Sequence, residues 1–144
     1  MEAAELTPLP FRQVLADTVA MTEHVERTRV GRSDIDALGQ FQPVAAFRWA
    51  EAAETALMRK LGLVDLGRYP RRHVEAEFHT PLRFDDRVDV RLWVEDVGRT
   101  SITFAWEGRR DTELCFEGRH VAVRVDDAGS PEPLAEKVRS VLAP

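Results

Sequence analysis

The chain has 144 residues, 44% hydrophobic and 31% charged, which is enough for one domain with a hydrophobic core. A formal net charge of -5, with dispersed basic residues, argues against a nucleic-acid partner. The single cysteine, Cys115, excludes an internal disulfide and a multi-cysteine metal site. Because the sequence shows neither a secretory signal nor an apolar run long enough to span a bilayer, it predicts a soluble cytoplasmic protein without a membrane partner.

The chain divides into an N-terminal extension, residues 1–23, and a main domain, residues 24–144. Apolar residues in the extension recur near helical spacing, which predicts a short helix there. They are Phe11, Val14, Leu15 and Val19. From His24 the sequence alternates weakly between residue types up to Gly31, which predicts the first strand.

The most regular pattern predicts a helix from Pro43 to Leu61. Apolar residues recur there at three- and four-residue intervals among strong helix formers, and Gly62 supplies a C-terminal stop. Proline suits the first helical position, because an N–H there has no partner within the helix. The loop that precedes the helix therefore brings Asp34 and Asp36 close to the helix start.

Four stretches with period-two character follow, at residues 73–80, 87–97, 100–110 and 114–126. Short turn-like breaks between them predict an antiparallel meander. In the second stretch Leu92 and three valines face one side, while Trp93 and charged residues face the other, which we expect to be largely solvated. The long helix is left to cover the apolar side, so the predicted class is α+β, with a short amphipathic helix near the C-terminus.

Residues 29–63, 74–104 and 118–126 resemble the hotdog-fold acyl-CoA thioesterases of the 4-hydroxybenzoyl-CoA thioesterase type. The motifs behind the resemblance are "DID" followed by Gly39, a helix with "RW" and Glu51, the turn "TPLRFDDRV" and the hairpin corner "GRTSI". The resemblance implies a hotdog fold, in which a five-stranded antiparallel sheet wraps around a central helix. It also implies hydrolysis of an acyl-CoA or acyl-carrier thioester to free acid and thiol, without a cofactor.

Asp36 is the catalytic carboxylate that the resemblance implies, acting as nucleophile or as general base. A thioester carbonyl needs an attacking group on its carbon and a positive dipole at its oxygen, and a carboxylate just ahead of a helix lies near both. The alternative is that Asp36 only forms an Asx turn or caps the helix. Asp34 is interpreted as structural.

The loop departs from the family pattern in two ways. Where many relatives have a histidine followed by asparagines, this chain has glutamines at Gln40 and Gln42. Pro43 falls near the position whose N–H is thought to polarise the carbonyl, and proline has no such donor. The N–H of Val44 or Ala45, or a glutamine side chain, is then needed as the oxyanion donor, and slow turnover is one outcome. Gln40 and Val44 are thus candidate catalytic residues, and Gln42 and Pro43 candidate substrate contacts.

Glu51 and Glu54 share one face of the helix, where a second branch of hotdog thioesterases has its catalytic carboxylate. The simpler interpretation is a solvated or arginine-paired edge. At the hairpin corner the resemblance assigns contacts with the coenzyme A nucleotide to Arg99, Thr100 and Ser101. For Arg99 a plain surface charge is the competing interpretation.

Gly39 and Trp49 complete the candidate substrate contacts, although the tryptophans are more often packing residues. The four histidines lack ligand spacing, so no metal is expected. An unpaired edge strand and the resemblance predict a homodimer or homotetramer with sites between subunits. The alternatives to a thioesterase are a catalytically silent hotdog module that binds acyl thioesters or a partner protein, and a hydratase or dehydratase, which would normally need a loop histidine.

Overall fold

The structure is a computed structural model and describes residues 22–64 and 66–143. The helix predicted within residues 1–23 lies outside the described residues. The strands are β1 (Glu23–Arg29), β2 (Arg71–Phe78), β3 (Arg87–Val97), β4 (Ser101–Arg110) and β5 (Glu113–Val123), and the helices are α1 (Pro43–Lys60) and α2 (Glu136–Leu142). Neither described helix combines the length and the apolar character needed to cross a membrane.

Helix α1 is the predicted central helix, and its bounds are confirmed to within one residue. Pro43 occupies the first turn, and Gly62, with a φ of 71°, follows the C-terminus. The helix packs against β1, β3 and β4. Its buried face is formed mainly by small side chains, which allow close approach to the sheet; the buried residues are Ala45, Ala46, Trp49, Ala50, Ala53, Glu54 and Leu57.

The five-stranded antiparallel sheet is confirmed, but the predicted four-strand meander is wrong for β2. The strand order is β1-β3-β4-β5-β2, so only β3, β4 and β5 form a meander. Strand β2 crosses to the far edge and pairs with β5, while β1 pairs with β3. Alternation along the chain identifies strands but says nothing about which strands become neighbours, because neighbours are selected by the shared face that must be covered.

The predicted solvated face of β3 is also wrong at one position. Trp93 is fully buried although it points away from α1, and the Arg91 guanidinium lies 4.6 Å from the centroid of its ring. The next strand has the buried Ala105 opposite Trp93. Long arginine side chains cover apolar surface with their aliphatic stems, so one charged neighbour in an alternating pattern does not guarantee exposure.

Two aromatic rings lie directly over two glycines at the centre of the concave face. Phe116 of β5 is opposite Gly108 of β4, and Trp106 of β4 is opposite Gly118 of β5. The two rings meet edge to face, with centroids 6.0 Å apart. A Cβ at either glycine would overlap the facing ring, so the absence of a side chain is what lets the rings lie flat on the sheet.

This packing predicts that Gly118→Ala is destabilising. The new methyl group would overlap the Glu75 carbonyl oxygen and lie 2.5 Å from Cη2 of Trp106. We expect a loss of about 1–3 kcal/mol in the free energy of unfolding, measured by urea denaturation. The control is Gly31→Ala, where the nearest atom would be 3.5 Å away, and its effect should be about 0.5 kcal/mol or less. Equal stability of the two variants would contradict this account.

Candidate active site

A cavity of about 550 Å³ lies between the loop before α1 and the loop after β2. Its walls are mainly apolar, with polar groups toward the loops. The lining residues are Gly39, Gln40, Phe41, Pro43, Phe78, His79, Thr80, Pro81, Leu82, Arg83, Cys115 and Phe116. The size and composition are those of a small-molecule pocket. Three of the predicted site residues, Gly39, Gln40 and Pro43, are therefore brought together.

Asp36 closes the turn that forms one wall of this cavity. Its Oδ1 accepts hydrogen bonds from the backbone N–H groups of Leu38, at 2.8 Å, and Gln40, at 2.9 Å. Its own N–H donates to the Gln40 carbonyl at 2.8 Å, and Gly39 adopts a φ of 81° within the turn. The side chain is exposed, and its Oδ2 has no hydrogen-bond partner among the described residues. The Asx turn thus holds one carboxylate oxygen and leaves the other without a hydrogen bond among the described residues.

Asp34 fixes the other end of the loop from a buried position. Its Oδ2 accepts from the Gly31 N–H at 2.8 Å, and its Oδ1 accepts from Nη2 of Arg48 in α1 at 2.7 Å. Its carbonyl accepts from the Gln42 N–H at 2.8 Å. These three bonds tie the loop to the helix, which agrees with the structural role predicted for Asp34.

The start of α1 presents one unpaired backbone donor beside the cavity. Pro43 has no N–H, and the Ala45 N–H donates to the Gln42 carbonyl at 2.9 Å. The Val44 N–H lies between them and has no acceptor among the described residues. The side chain of Gln42 is engaged, since Nε2 donates to the Ile35 carbonyl at 2.9 Å. Of the predicted backbone donors, Val44 is therefore the one available at the positive end of the helix.

Asp36, Gln42 and Val44 flank lining residues without lining the cavity themselves, and the other predicted residues do not line it either. Trp49 is buried behind it, with its ring centroid 5.3 Å from that of Phe41. Glu51 is exposed on α1, where Oε2 lies 3.4 Å from Nε of Arg71. The corner formed by Arg99, Thr100 and Ser101 begins β4, whereas the cavity lies near the end of that strand. Nine residue steps separate the two ends of this ten-residue strand, or about 30 Å at about 3.3 Å per residue.

Glu54 belongs to a buried polar network that the sequence pattern did not predict. Its Oε1 accepts from Nη2 of Arg71 at 2.6 Å and contacts Nε2 of His120 at 2.7 Å. Nδ1 of the same imidazole accepts from the Trp106 indole N–H at 3.1 Å. An indole N–H can only donate, so Nδ1 of His120 must accept and carries no proton. The ring proton is therefore assigned to Nε2, which donates to Glu54. Arginine pairing was predicted for Glu54; its burial was not.

Two further groups near the cavity bear on chemistry. Burial raises the pKa of the Cys115 thiol, which is consistent with the predicted role as a small buried residue. Glu77, His79 and Glu117 bring possible metal-ligand atoms within 4.8 Å of one another, although spacing along the chain did not reveal this group. Nε2 of His79 contacts Oε2 of Glu117 at 2.8 Å. The expectation that no metal is needed stays a prediction.

Sequence reasoning missed the residues that form most of the cavity wall. Phe78 ends β2, Leu82 follows it in the next loop, and Phe116 comes from β5. The alternating patterns place Phe78 and Phe116 on one face of their strands. The two strands are far apart along the chain, so sequence alone does not show that they are neighbours. The pairing of β2 with β5 places Phe78 directly opposite Phe116.

An antiparallel sheet curved around one helix, with a pocket beside the helix start, defines the hotdog class of proteins, and solved structures agree. A predicted thioesterase from Bacillus stearothermophilus is 26% identical, with a TM-score of 0.75 over 83% of this chain and 93% of that chain. A thioesterase from Thermus thermophilus, complexed with coenzyme A and zinc, is 24% identical, with a TM-score of 0.71 over 81% of this chain and 90% of that chain. A 1,4-dihydroxy-2-naphthoyl-CoA thioesterase from Synechocystis is 15% identical, with a TM-score of 0.75 over 83% of this chain and 95% of that chain.

A family model described as the thioesterase superfamily matches residues 44–116 of the sequence. The chain belongs to this superfamily, whose reaction is thioester hydrolysis. No curated protein sequence gives a significant match. The matched residues run from the start of α1 to Phe116, so they include both the unpaired Val44 N–H and the deepest part of the cavity wall.

Proposed function

We propose that the chain hydrolyses acyl-coenzyme A thioesters in this cavity, with Asp36 as the catalytic carboxylate and the Val44 N–H as the oxyanion donor. The observation that carries the proposal is the convergence of three features at one loop: a carboxylate with one free oxygen, an unpaired N–H at a helix start and an apolar cavity. The names of the similar solved structures support coenzyme A as the thiol part of the substrate.

The proposed chemistry has two routes that share the same groups. As general base, Asp36 takes a proton from water while the water oxygen bonds to the carbonyl carbon; the C–S bond then breaks and the proton passes to the thiolate. As nucleophile, an Asp36 oxygen bonds to the carbonyl carbon and the C–S bond breaks to release the thiolate; water then hydrolyses the acyl anhydride, which frees the acid, regenerates the carboxylate and supplies the proton taken up by the thiolate. In both routes negative charge develops on the carbonyl oxygen, where the Val44 N–H and the α1 dipole stabilise it.

Asp36→Asn tests the catalytic role while keeping the turn. The amide oxygen still accepts the two backbone N–H bonds, but the variant has neither a basic nor a nucleophilic carboxylate. We expect kcat to fall on the order of a hundredfold or more, with little change in KM, measured as thiol release from a panel of acyl-CoAs.

The chain offers a matched control at Asp126, which forms the same turn with Ala128, Gly129 and Ser130. Oδ1 of Asp126 accepts from Ala128 and Ser130 N–H, both at 2.9 Å, and Gly129 has a φ of 88°. This turn does not line the cavity. Asp126→Asn should therefore leave kcat unchanged. Equal rates for Asp36→Asn and the wild type would remove Asp36 from catalysis, and binding without thiol release by the wild type would favour a silent acyl-binding module.

The distance between Arg99 and the cavity supports a site shared between two subunits. Within one chain the proposed nucleotide contact and the cavity lie at opposite ends of β4. If two copies pair their β2 strands antiparallel about a twofold axis, the strands of the partner sheet run in the opposite direction. The partner's hairpin corner then lies at the same end as the cavity of this chain. Phe78 lies on this edge, lines the cavity and is 43% exposed, so the cavity opens where the partner would lie.

The guanidinium of Arg99 has no ion pair or hydrogen bond among the described residues and is exposed, as a phosphate contact requires. We expect Arg99→Ala to raise KM for acyl-CoA about tenfold to a hundredfold, because a charge-assisted hydrogen bond to phosphate is lost. KM for an acyl N-acetylcysteamine thioester, which lacks the nucleotide, should not change. Arg27→Ala on β1 is the control; equal effects on both substrates would contradict a phosphate contact.

Two exposed valines, one on each edge of the sheet, test the proposed assembly. Val74 on β2 and Val25 on β1 are both 42% exposed. Val74→Asp should produce an inactive monomer in light scattering, because the partner interface buries that position and an unpaired charge there is costly. Val25→Asp should remain an active oligomer. A fully active wild-type monomer, or dissociation by the β1 variant alone, would overturn the shared site.

A further inference from the structure

The cavity lining includes one fully buried aromatic ring. Phe116 is fully buried and lines the cavity. Its ring centroid lies 6.0 Å from that of Phe78 and 6.4 Å from that of Phe41, which are the two other phenylalanines of the lining. A molecule that enters past the loops therefore meets the face or edge of Phe116 when it reaches the sheet.

This ring is supported from behind by backbone rather than by movable side chains. A Cβ built at Gly108 would overlap Cε2 and Cζ of Phe116 and lie 2.8 Å from Cε1, so the ring rests directly on β4. Trp106 and Trp49 hold its flanks, with ring centroids 6.0 Å and 6.1 Å away. Dense packing of this kind leaves no low-energy position into which the ring could retreat when a ligand presses on it.

We propose that Phe116, resting on Gly108, is the specificity-determining residue that sets the maximum length of the acyl group. The inference rests on the proposed function and narrows its substrate class to compact acyl groups whose apolar end meets this ring. A rigid aromatic stop rejects an additional methylene because the chain must either displace packed rings or leave the cavity. Leu82 and Cys115 of the lining are apolar and disfavour a charged acyl terminus beside them, whereas His79 and Arg83, which could pair with a charge, lie in the loop after β2.

The experiment measures kcat/KM for straight-chain acyl-CoAs of increasing length with the wild type, Phe116→Ala and Phe116→Leu. We expect both variants to extend the accepted chain length, with the ratio of long-chain to short-chain kcat/KM rising about tenfold or more in Phe116→Ala. The matched control is Phe104→Ala, which removes another fully buried phenylalanine that lies outside the cavity lining and contacts His120. This variant should lower the melting temperature without changing the ratio of long-chain to short-chain kcat/KM.

A binding series distinguishes failure of this inference from failure of the proposed function. Non-hydrolysable acyl-CoA thioethers of increasing length are titrated into the wild-type protein by calorimetry. Affinity should rise with each methylene up to a limit and then fall. Catalytic inactivity with this length limit intact would reject the proposed hydrolysis and support the stop at Phe116. Affinity that keeps rising with length, or folded Phe116 variants with the wild-type ratio, would overturn the stop even in an active enzyme.

Discussion

Close packing between α1 and the concave face of the sheet is the constraint on which the rest of the structure depends. Four alanines on the buried helix face, Ala45, Ala46, Ala50 and Ala53, keep the side-chain layer thin. On the sheet side, large rings lie flat over glycines instead of standing upright between strand and helix. The helix can therefore lie deep within the curl of the sheet, with its N-terminus beside the cavity. The proposed oxyanion donor, the proposed acyl pocket and the loop that carries the proposed catalytic carboxylate all occur at that end because the helix is held there.

Two nearly identical turns in this chain distinguish a structural motif from a proposed functional site. Asp36 and Asp126 make the same side-chain and backbone hydrogen bonds, and each turn has a glycine with positive φ. The turn geometry is therefore a property of the local sequence, in which an aspartate precedes a glycine by three residues. The first turn ends three positions before α1 and adjoins the cavity of the candidate site, whereas the second ends six positions before α2 and lies outside that cavity. An Asx turn and a catalytic carboxylate are compatible in one residue, since the turn uses a single oxygen.

The separation of the hairpin corner from the cavity gives the proposed assembly a chemical reason. A single chain has the proposed acyl pocket and, at the other end of the strand about 30 Å along β4, the exposed arginine proposed to contact phosphate. Twofold pairing through β2 would bring each partner's corner to the other's pocket. On this view the edge strand acts in substrate binding as well as in assembly, because the same contact that covers its unpaired backbone groups completes two sites.

The sequence by itself determined the elements: the period of α1, the proline and glycine at its ends, the alternating strands and the short loop that brings Asp36 to the helix. These follow from interactions between residues close along the chain, and the motif order identified the thioesterase superfamily. Tertiary structure alone decided that β2 lies beside β5, that Trp93 is buried and that Glu54 meets His120 across 66 positions of sequence. It also decided which rings close the cavity, since Phe78 and Phe116 meet only through strand pairing. Such contacts depend on which surfaces cover one another, and local sequence patterns do not encode that choice.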